Sequence, residues 1–313
     1  MRVWLTAGVI VVSLVATGRA QSPGKVRTRS EVPDLQGIWS NATLTPLERP
    51  ADQKDKEFLT EEEAAEFERT GLDRTLKPLA IEVKLSGELN ATWLELGKIV
   101  RSRRTSLVID PPDGKVPYTD AGKKRRDMAL ARVFNLVPVN SWEDRSLAER
   151  CLMTGGLLTP NPFYLNNHQF IQNRNYIVVL SEVMNETRII PLDERPQLSA
   201  AITRWGGESR GHWEGDALVV ETGNFDSRAG ILGGTDKLRL VERFTKIDND
   251  TMDYKVTVTD PDSFTRAWTL QNTMRSMKKP IYSYSCHEGN YGLRNILSGA
   301  RAMDKARAEK EGK

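Results

Sequence analysis

The sequence predicts a mainly β protein: an antiparallel, lipocalin-like β-barrel with a helical insertion and a C-terminal helix. From residue 169 onward, apolar and polar side chains alternate with a period of two. Short turns separate these runs, and no helical pattern lies between them. Near the beginning of the chain, Gly37-Ile38-Trp39 is a Gly-x-Trp sequence of the kind that opens many lipocalin-like barrels. Several short strands joined by tight turns favour an antiparallel sheet that closes into a barrel or sandwich.

The helical insertion is expected over about residues 54–150, after the first strand of the barrel. Thr60 and Glu63 have the spacing of a capping box, in which each side chain bonds to the backbone N–H of the other residue. The following pattern predicts a short helix over 60–70, and Gly71 is a suitable residue at which that helix ends.

Further along the insertion, residues 106–117 read as a strand, a Pro-Gly turn and a second strand. A second helix is predicted over 119–134, and it contains a basic run over 123–126. Such a run can contact phosphate or a membrane surface, but a solvated helix face is the interpretation that we favour.

The predicted strands of the barrel differ from the insertion in their regular alternation of apolar and polar residues. They are 176–180, 187–192, 217–222, 238–244, 252–259, 264–274 and 281–286. The chain after Gly292 has a helical pattern and ends in a charged tail over 301–313. We therefore expect a single barrel domain over 35–300.

The first 20 residues have the layout of a secretory signal peptide. A basic start is followed by an apolar run, and small residues precede a cleavage site after Ala20. The apolar run is too short to span a bilayer, although an uncleaved anchor is the alternative. Residues 21–34 read as a flexible leader. The sequence thus predicts a secreted or periplasmic protein whose mature chain has no membrane span.

The charge balance argues against a nucleic-acid partner. The chain has 45 Lys and Arg against 42 Asp and Glu, a net charge of +3. Removal of residues 1–20 takes away Arg2 and Arg19 and no acid, which leaves 43 against 42 and a net charge of +1. A nearly neutral chain lacks the electrostatic footprint of a nucleic-acid binder.

Cys151 and Cys286 are the two cysteines of the chain. Export to an oxidising compartment favours a disulfide between them, and two buried thiols are the alternative. His168, His212 and His287 could formally form a three-histidine metal site. Their spacing contains no local ligand motif, so neither a metal nor another cofactor is predicted.

Two charged residues share a strand face with apolar residues. Glu242 stands two residues after Leu240, and Arg266 stands two residues before Trp268, so the members of each pair lie on the same face of a strand. Buried charges need partners, so Glu242 and Arg266 either pair with each other or hold the polar group of a ligand. Together with Tyr254 and Trp268, they are the candidate ligand-binding residues of the barrel interior.

Polar clusters, each with one of the three histidines, lie at three predicted strand ends: 164–169, 209–216 and 286–292. His287 and Glu288 could act as an acid/base pair, with Arg210, or alternatively Asn167 or Arg266, stabilising an anion. Asn167 and His168 are further candidates for ligand binding. A hydrogen-bonded capping role is the alternative for each histidine.

Several longer sequence blocks carry a resemblance to known proteins. They are residues 104–117 (RTSLVIDPPDGKVP), 209–222 (SRGHWEGDALVVET) and 284–292 (YSCHEGNYG), with shorter blocks at 33–40, 188–193 and 240–244. In this order they resemble a large family of exported bacterial proteins, numerous in soil and aquatic bacteria such as acidobacteria. The resemblance covers residues 33 to about 303, and it implies a lipocalin-like fold and export but no reaction. Family members usually carry Arg or a similar residue in place of His212, which argues against His212 as a general base.

Three functions follow as hypotheses. The first is the binding of a small apolar or aromatic molecule inside the barrel. The second is a cofactor-free lyase, isomerase or hydrolase that uses His287 and Glu288. The third is a structural protein of the cell envelope with a filled barrel. The sequence names neither the ligand nor the oligomeric state.

Overall fold

The computed structural model of the chain describes residues 32–76, 95–133, 137–154 and 165–312. The predicted signal peptide and nearly all of the predicted leader lie outside these residues. The described part is dominated by an antiparallel sheet of ten strands, which confirms the mainly β prediction. The strands are β1 (Gly37–Ser40), β2 (Val108–Asp110), β3 (Asn167–Gln172), β4 (Tyr176–Ser181), β5 (Thr187–Pro191), β6 (Glu208–Glu214), β7 (Ala217–Gly223), β8 (Arg239–Lys246), β9 (Thr251–Thr259) and β10 (Trp268–Met277).

The sheet has the strand order β5-β4-β3-β1-β10-β9-β8-β7-β6, and β2 adds to β10 outside this path. The two edge strands β5 and β6 meet through side chains. Nε of Arg188 donates to Oγ of Ser209 over 2.7 Å, and a Cβ at Gly211 would lie 2.8 Å from Cγ2 of Ile190. No backbone ladder joins β5 to β6 in the described part of the chain. The sheet therefore curls until its edges touch, but backbone pairing does not close it into the predicted barrel.

One face of the curled sheet is lined by buried side chains, and we call it the inner face. The strand register places Trp39 opposite His168 and Ser276, and the same alternation continues around the sheet. Inner-face residues include His168, Phe170, Ile177, Val179, Arg188, Ile190, Leu218, Val220, Glu242, Phe244, Tyr254, Val256, Trp268 and Leu270. Burial of the apolar side chains in this set contributes the main stabilising free energy of the sheet.

Helix α1 (Glu61–Leu76) begins as the sequence predicts and ends later. The backbone N–H of Glu63 donates to Oγ1 of Thr60, and the N–H of Thr60 donates to Oε2 of Glu63. The helix continues past Gly71, the predicted end. A Cβ at Gly71 would lie 2.7 Å from Cδ1 of Leu44, so glycine permits close packing there instead of ending the helix.

Helix α2 (Asp120–Val133) matches the predicted second helix. Its first turn packs on the loop that precedes β10, where a Cβ at Gly122 would lie 2.2 Å from the carbonyl oxygen of Ser263. Nε of Arg125, within the basic run, donates to the carbonyl oxygen of Gly233. At least one residue of that run therefore holds the helix against the sheet's loops. Residues 115–117, predicted as a strand, are not one.

The C-terminal region is tied to the insertion by the Cys151–Cys286 disulfide, with a Cα–Cα distance of 5.8 Å. The predicted disulfide is thus confirmed. Residues 281–286 were expected to be the last strand, and this is wrong because the extended segment forms no ladder with the sheet. Side chains hold it instead: Oε1 of Glu182 accepts from the N–H of Tyr282, and the amide of Asn185 bonds to both backbone groups of Tyr284.

Helix α3 (Gly292–Lys310) is the predicted C-terminal helix, and it extends through most of the predicted charged tail. The guanidinium of Arg301 donates to the carbonyl oxygens of Val139 and Asn140, which gives a second link to the insertion. In the described residues, no helix combines the length and apolar composition that a membrane crossing requires.

Candidate functional site

Glu242 lies at the centre of a hydrogen-bond network on the inner face. Its carboxylate forms a two-pronged ion pair with Arg188 of β5, with 2.9 Å between Nη1 and Oε1. The hydroxyl of Tyr254 donates to Oε1 over 2.7 Å. Arg188 also donates to Oγ1 of Thr222 and Oγ of Ser209, which are 3.0 Å from each other. The network therefore links five strands, from β5 to β9, and spans the open seam between β5 and β6.

In this network, the opposite charges of Arg188 and Glu242 offset the cost of burying each one. Burial alone would lower the pKa of Arg188, but attraction to Glu242 outweighs burial and the pKa is raised. Burial and the neighbouring carboxylate raise the pKa of Tyr254 well above its usual value. Arg188 is thus a cation and Tyr254 a neutral donor, as the hydrogen bonds require.

Arg266 does not occupy the interior position that the sequence predicts. Its side chain is about half exposed and forms an ion pair with Asp110, at 2.8 Å from Nη2 to Oδ2. The expected alternation begins only at Trp268, where β10 starts, because residues 260–265 form a turn and its flanking bridge. Arg266 is therefore neither the partner of Glu242 nor an inner-face anchor.

His168 is fully buried on β3, opposite Trp39 and Ser181 in the register. Its Nδ1 lies 2.9 Å from Oγ of Ser181. Burial lowers the pKa of His168 to about 3, so the imidazole is neutral at physiological pH. Nε2 is buried and has no hydrogen-bond partner among the described residues. Nδ1 therefore has a hydrogen-bond partner, and Nε2 has none among the described residues.

Aromatic side chains line much of the inner face. The rings of Phe244 and Tyr254 stack with centroids 4.8 Å apart, and Phe170 meets Phe244 edge to face at 5.5 Å. Trp268 packs edge to face on Phe264 at 5.6 Å. Nε1 of Trp268 is buried and, within the described chain, has no hydrogen-bond partner. An indole N–H is only a donor, so this group lacks an acceptor.

Two of the polar clusters that were predicted at strand ends contribute residues to the strands themselves. Asn167 and His168 are inside β3, and Nδ2 of Asn167 donates to Oε2 of Glu182 over 2.7 Å. Arg210 lies inside β6 and forms an ion pair with the buried Glu208. Residues 208–214 form strand β6, whereas the sequence predicted that residues 209–216 precede a strand.

His287 and Glu288, the predicted acid/base pair, are exposed in the segment after the disulfide. In the described part of the chain, no hydrogen bond joins their side chains to each other or to Arg210. Nothing in this geometry favours acid/base catalysis at His287, which stays a prediction.

The three histidines lie in three separate places. His168 is buried, His212 is exposed beside Glu214 at 3.1 Å, and His287 is in the C-terminal segment. Among the described residues, no group of three or more His, Cys, Asp or Glu side chains is placed to hold a metal ion.

Comparison with protein-family models, curated proteins and solved structures finds no match to this chain. The resemblance to exported bacterial proteins therefore stays a prediction.

Arg188, Ser209 and Thr222 were missed by the sequence interpretation. Arg188 stands two residues before the buried Ile190, so the same period-two rule that singled out Glu242 also places it on the inner face. Nothing in the sequence pairs Arg188 with Glu242, because the contact joins strands that are 54 residues apart and depends on the curl of the sheet.

Proposed function

We propose that the protein binds a small, largely apolar molecule on the inner face, with a polar group of that molecule hydrogen-bonded to Nε2 of His168. The observation that carries this proposal is the neutral, buried imidazole whose second nitrogen is unused among the described residues. A buried polar atom without a partner costs about 1–3 kcal/mol, so a ligand that supplies the partner gains affinity.

The surroundings of His168 support the same proposal. Trp39 lies opposite it in the register, and Phe170 follows it on the same face. Small-molecule sites are mostly apolar and aromatic, with a few polar groups that fix the ligand's orientation. Glu242 and Tyr254, by contrast, are engaged with each other and with Arg188, so they help to shape the site without offering a free polar atom.

Binding can be tested with N-phenyl-1-naphthylamine, an uncharged dye whose emission rises in apolar surroundings. His168→Asn keeps an amide near the position of Nδ1 and removes Nε2, whereas His168→Gln carries its amide toward Nε2. We expect His168→Asn to weaken dye binding about tenfold and His168→Gln to recover most of it.

His212→Asn is the matched control, because His212 is exposed on the outer side of β6, and its dye affinity should equal that of the unmodified protein. Circular dichroism of each variant checks that the sheet is retained. Absence of any emission increase with the unmodified protein, or equal affinity in His168→Asn and His168→Gln, would contradict the proposal.

We also propose that the chain is exported after removal of residues 1–20. The disulfide supports this because disulfides persist mainly in oxidising compartments. Expression in a bacterium should yield a periplasmic protein that begins at Gln21, as read by intact mass. A full-length chain retained in the cytoplasm would be the contrary result.

A further inference from the structure

We infer that small molecules reach the inner face sideways, through the seam between the edge strands β5 and β6, which opens while the rest of the sheet stays paired. The inference rests on the proposed function and adds to it the route by which a ligand enters. It makes the contacts of Arg188 with Ser209 and of Ile190 with Gly211 the parts of the molecule that set the rate of binding.

The inner face is buried at both ends of the sheet. Trp39, which the register places opposite Ser276 near the end of β10, is buried, and so is the neighbouring His168. At the other end, Trp268 begins β10 and is also buried, with Phe264 packed against its ring. A ligand that binds inside therefore needs part of the protein to move before it can enter.

The seam differs from the other junctions on the path from β5 to β6, each of which is joined by a backbone ladder. Across the seam, Nε of Arg188 donates to Oγ of Ser209 over 2.7 Å, and Ile190 fills the space beside Gly211. The ion pair of Arg188 with Glu242 also crosses it, but through a long, flexible side chain that tethers the two edges without fixing their separation. The seam therefore opens at lower cost than any pair of strands joined by a ladder.

Solvent reaches the central hydrogen-bond network at this seam. The side chain of Arg188, on the edge strand β5, is 23 % exposed, whereas that of its partner Glu242, on β8, is 2 % exposed. Thr222 on β7 and Tyr254 on β9 are buried as well. The connection from β5 to β6 is long, and its residues 193–204 are exposed, so it allows the two edges to move apart.

The seam is also close to the imidazole that the proposed function assigns to the ligand. The register pairs His168 of β3 with Ser181 of β4, whose N–H donates to the carbonyl oxygen of Glu186, immediately before β5. His168 is therefore two strands from the seam, or about 10 Å at the usual spacing of neighbouring strands. A molecule that enters beside Arg188, two residues after Glu186, meets His168 without crossing the whole sheet.

A disulfide across the seam tests this route. A Cβ at Gly211 would lie 2.8 Å from Cγ2 of Ile190, which is bonded to the Cβ of Ile190. Cysteine side chains at these two positions therefore match a disulfide, whose Cβ atoms lie about 3.5–4.5 Å apart. The matched variant Ile190→Cys/Gly211→Ser has nearly the same side chains and no cross-link. Relative to it, we expect oxidised Ile190→Cys/Gly211→Cys to bind and release N-phenyl-1-naphthylamine about tenfold more slowly in stopped-flow mixing, with the same affinity.

Ser209→Ala tests the seam without a cross-link. It removes the hydroxyl that accepts from Arg188, so the closed seam loses one hydrogen bond, and association and dissociation of the dye should each be about fivefold faster. Thr257→Val is the matched control. It removes a hydroxyl that bonds to Thr269 on the next strand, but a backbone ladder joins β9 to β10 there. Its rate constants should equal those of the unmodified protein.

The outcomes are distinguishable. Peptide mapping establishes that the new disulfide has formed and that Cys151 still pairs with Cys286, and circular dichroism checks that each variant keeps the sheet. If the new disulfide does not form, the comparison of Ser209→Ala with Thr257→Val decides alone. Dye binding with equal rate constants in the cross-linked and matched variants, or in Ser209→Ala and the unmodified protein, overturns entry at the seam and leaves the proposed function standing. Failure of the unmodified protein to bind the dye overturns the proposed function itself.

Discussion

At the scale of the residue, the carboxylate of Glu242 depends on the guanidinium of Arg188. The side chain of Glu242 is 2 % exposed and that of Arg188 is 23 % exposed, so removal of the carboxylate leaves a mostly buried guanidinium without an opposite charge. We expect Glu242→Gln to lower the free energy of unfolding by about 3–5 kcal/mol. The double variant Arg188→Met/Glu242→Leu, which removes both charges, should lie within about 2 kcal/mol of the unmodified protein, because it leaves no unpaired charge.

Urea unfolding followed by circular dichroism measures both effects. The exposed pair of Arg266 and Asp110 provides the control: Arg266→Met should change the free energy of unfolding by less than about 1 kcal/mol, because water screens that pair. If Glu242→Gln were as mild as Arg266→Met, the network would not be a structural link between β5 and β8.

At the scale of the element, glycines in two helices have opposite requirements. Gly122 in α2 meets the backbone of Ser263, which cannot move aside as a flexible side chain can. Gly122→Ala should therefore destabilise the protein by about 1–3 kcal/mol, despite alanine's higher helix propensity. Gly299 in α3 has no atom within 4 Å of its Cβ position, so Gly299→Ala should stabilise that helix by up to about 1 kcal/mol.

Thermal unfolding and amide hydrogen exchange of α2 and α3 are measured for both substitutions. Both variants replace glycine with alanine in a helix. The difference between their changes in stability therefore reports the contact of Gly122 with the backbone of Ser263. Equal shifts in both variants would mean that α2 does not dock through Gly122.

Element prediction from the sequence succeeded where a local pattern is sufficient. The capping box at Thr60 located the start of α1, and alternation located β9 almost to the residue. Element prediction was wrong where a contact between residues that are distant in the sequence determines the local structure. Gly71 continues a helix because Leu44 is adjacent to it, and residues 281–286 remain outside the sheet because Glu182 and Asn185 bind their backbone groups.

For the candidate site, the sequence identified His168, Glu242, Tyr254 and Trp268. It did not identify their hydrogen-bond partners, because those contacts join residues on different strands.

At the scale of the whole molecule, the disulfide closes a loop of 135 residues that contains β3 to β10. In the chain-entropy view, such a cross-link removes about 5 kcal/mol of conformational freedom from the unfolded chain. The segment that contains Cys286 has no ladder with the sheet in the described residues, and hydrogen bonds to Glu182 and Asn185 are each worth about 1 kcal/mol. The segment therefore releases from the sheet at lower cost than the sheet unfolds.

We accordingly expect Cys151→Ser/Cys286→Ser to increase hydrogen exchange over residues 281–310 and to leave exchange in β7 to β9 unchanged under native conditions. Asn185→Ala in the disulfide-bonded protein is the comparison, because it removes two hydrogen bonds to Tyr284 but keeps the covalent link. Its exchange should rise near Tyr284 and remain protected in α3. A uniform increase across the sheet in the cysteine variant would show instead that the C-terminal region and the sheet unfold as one cooperative unit.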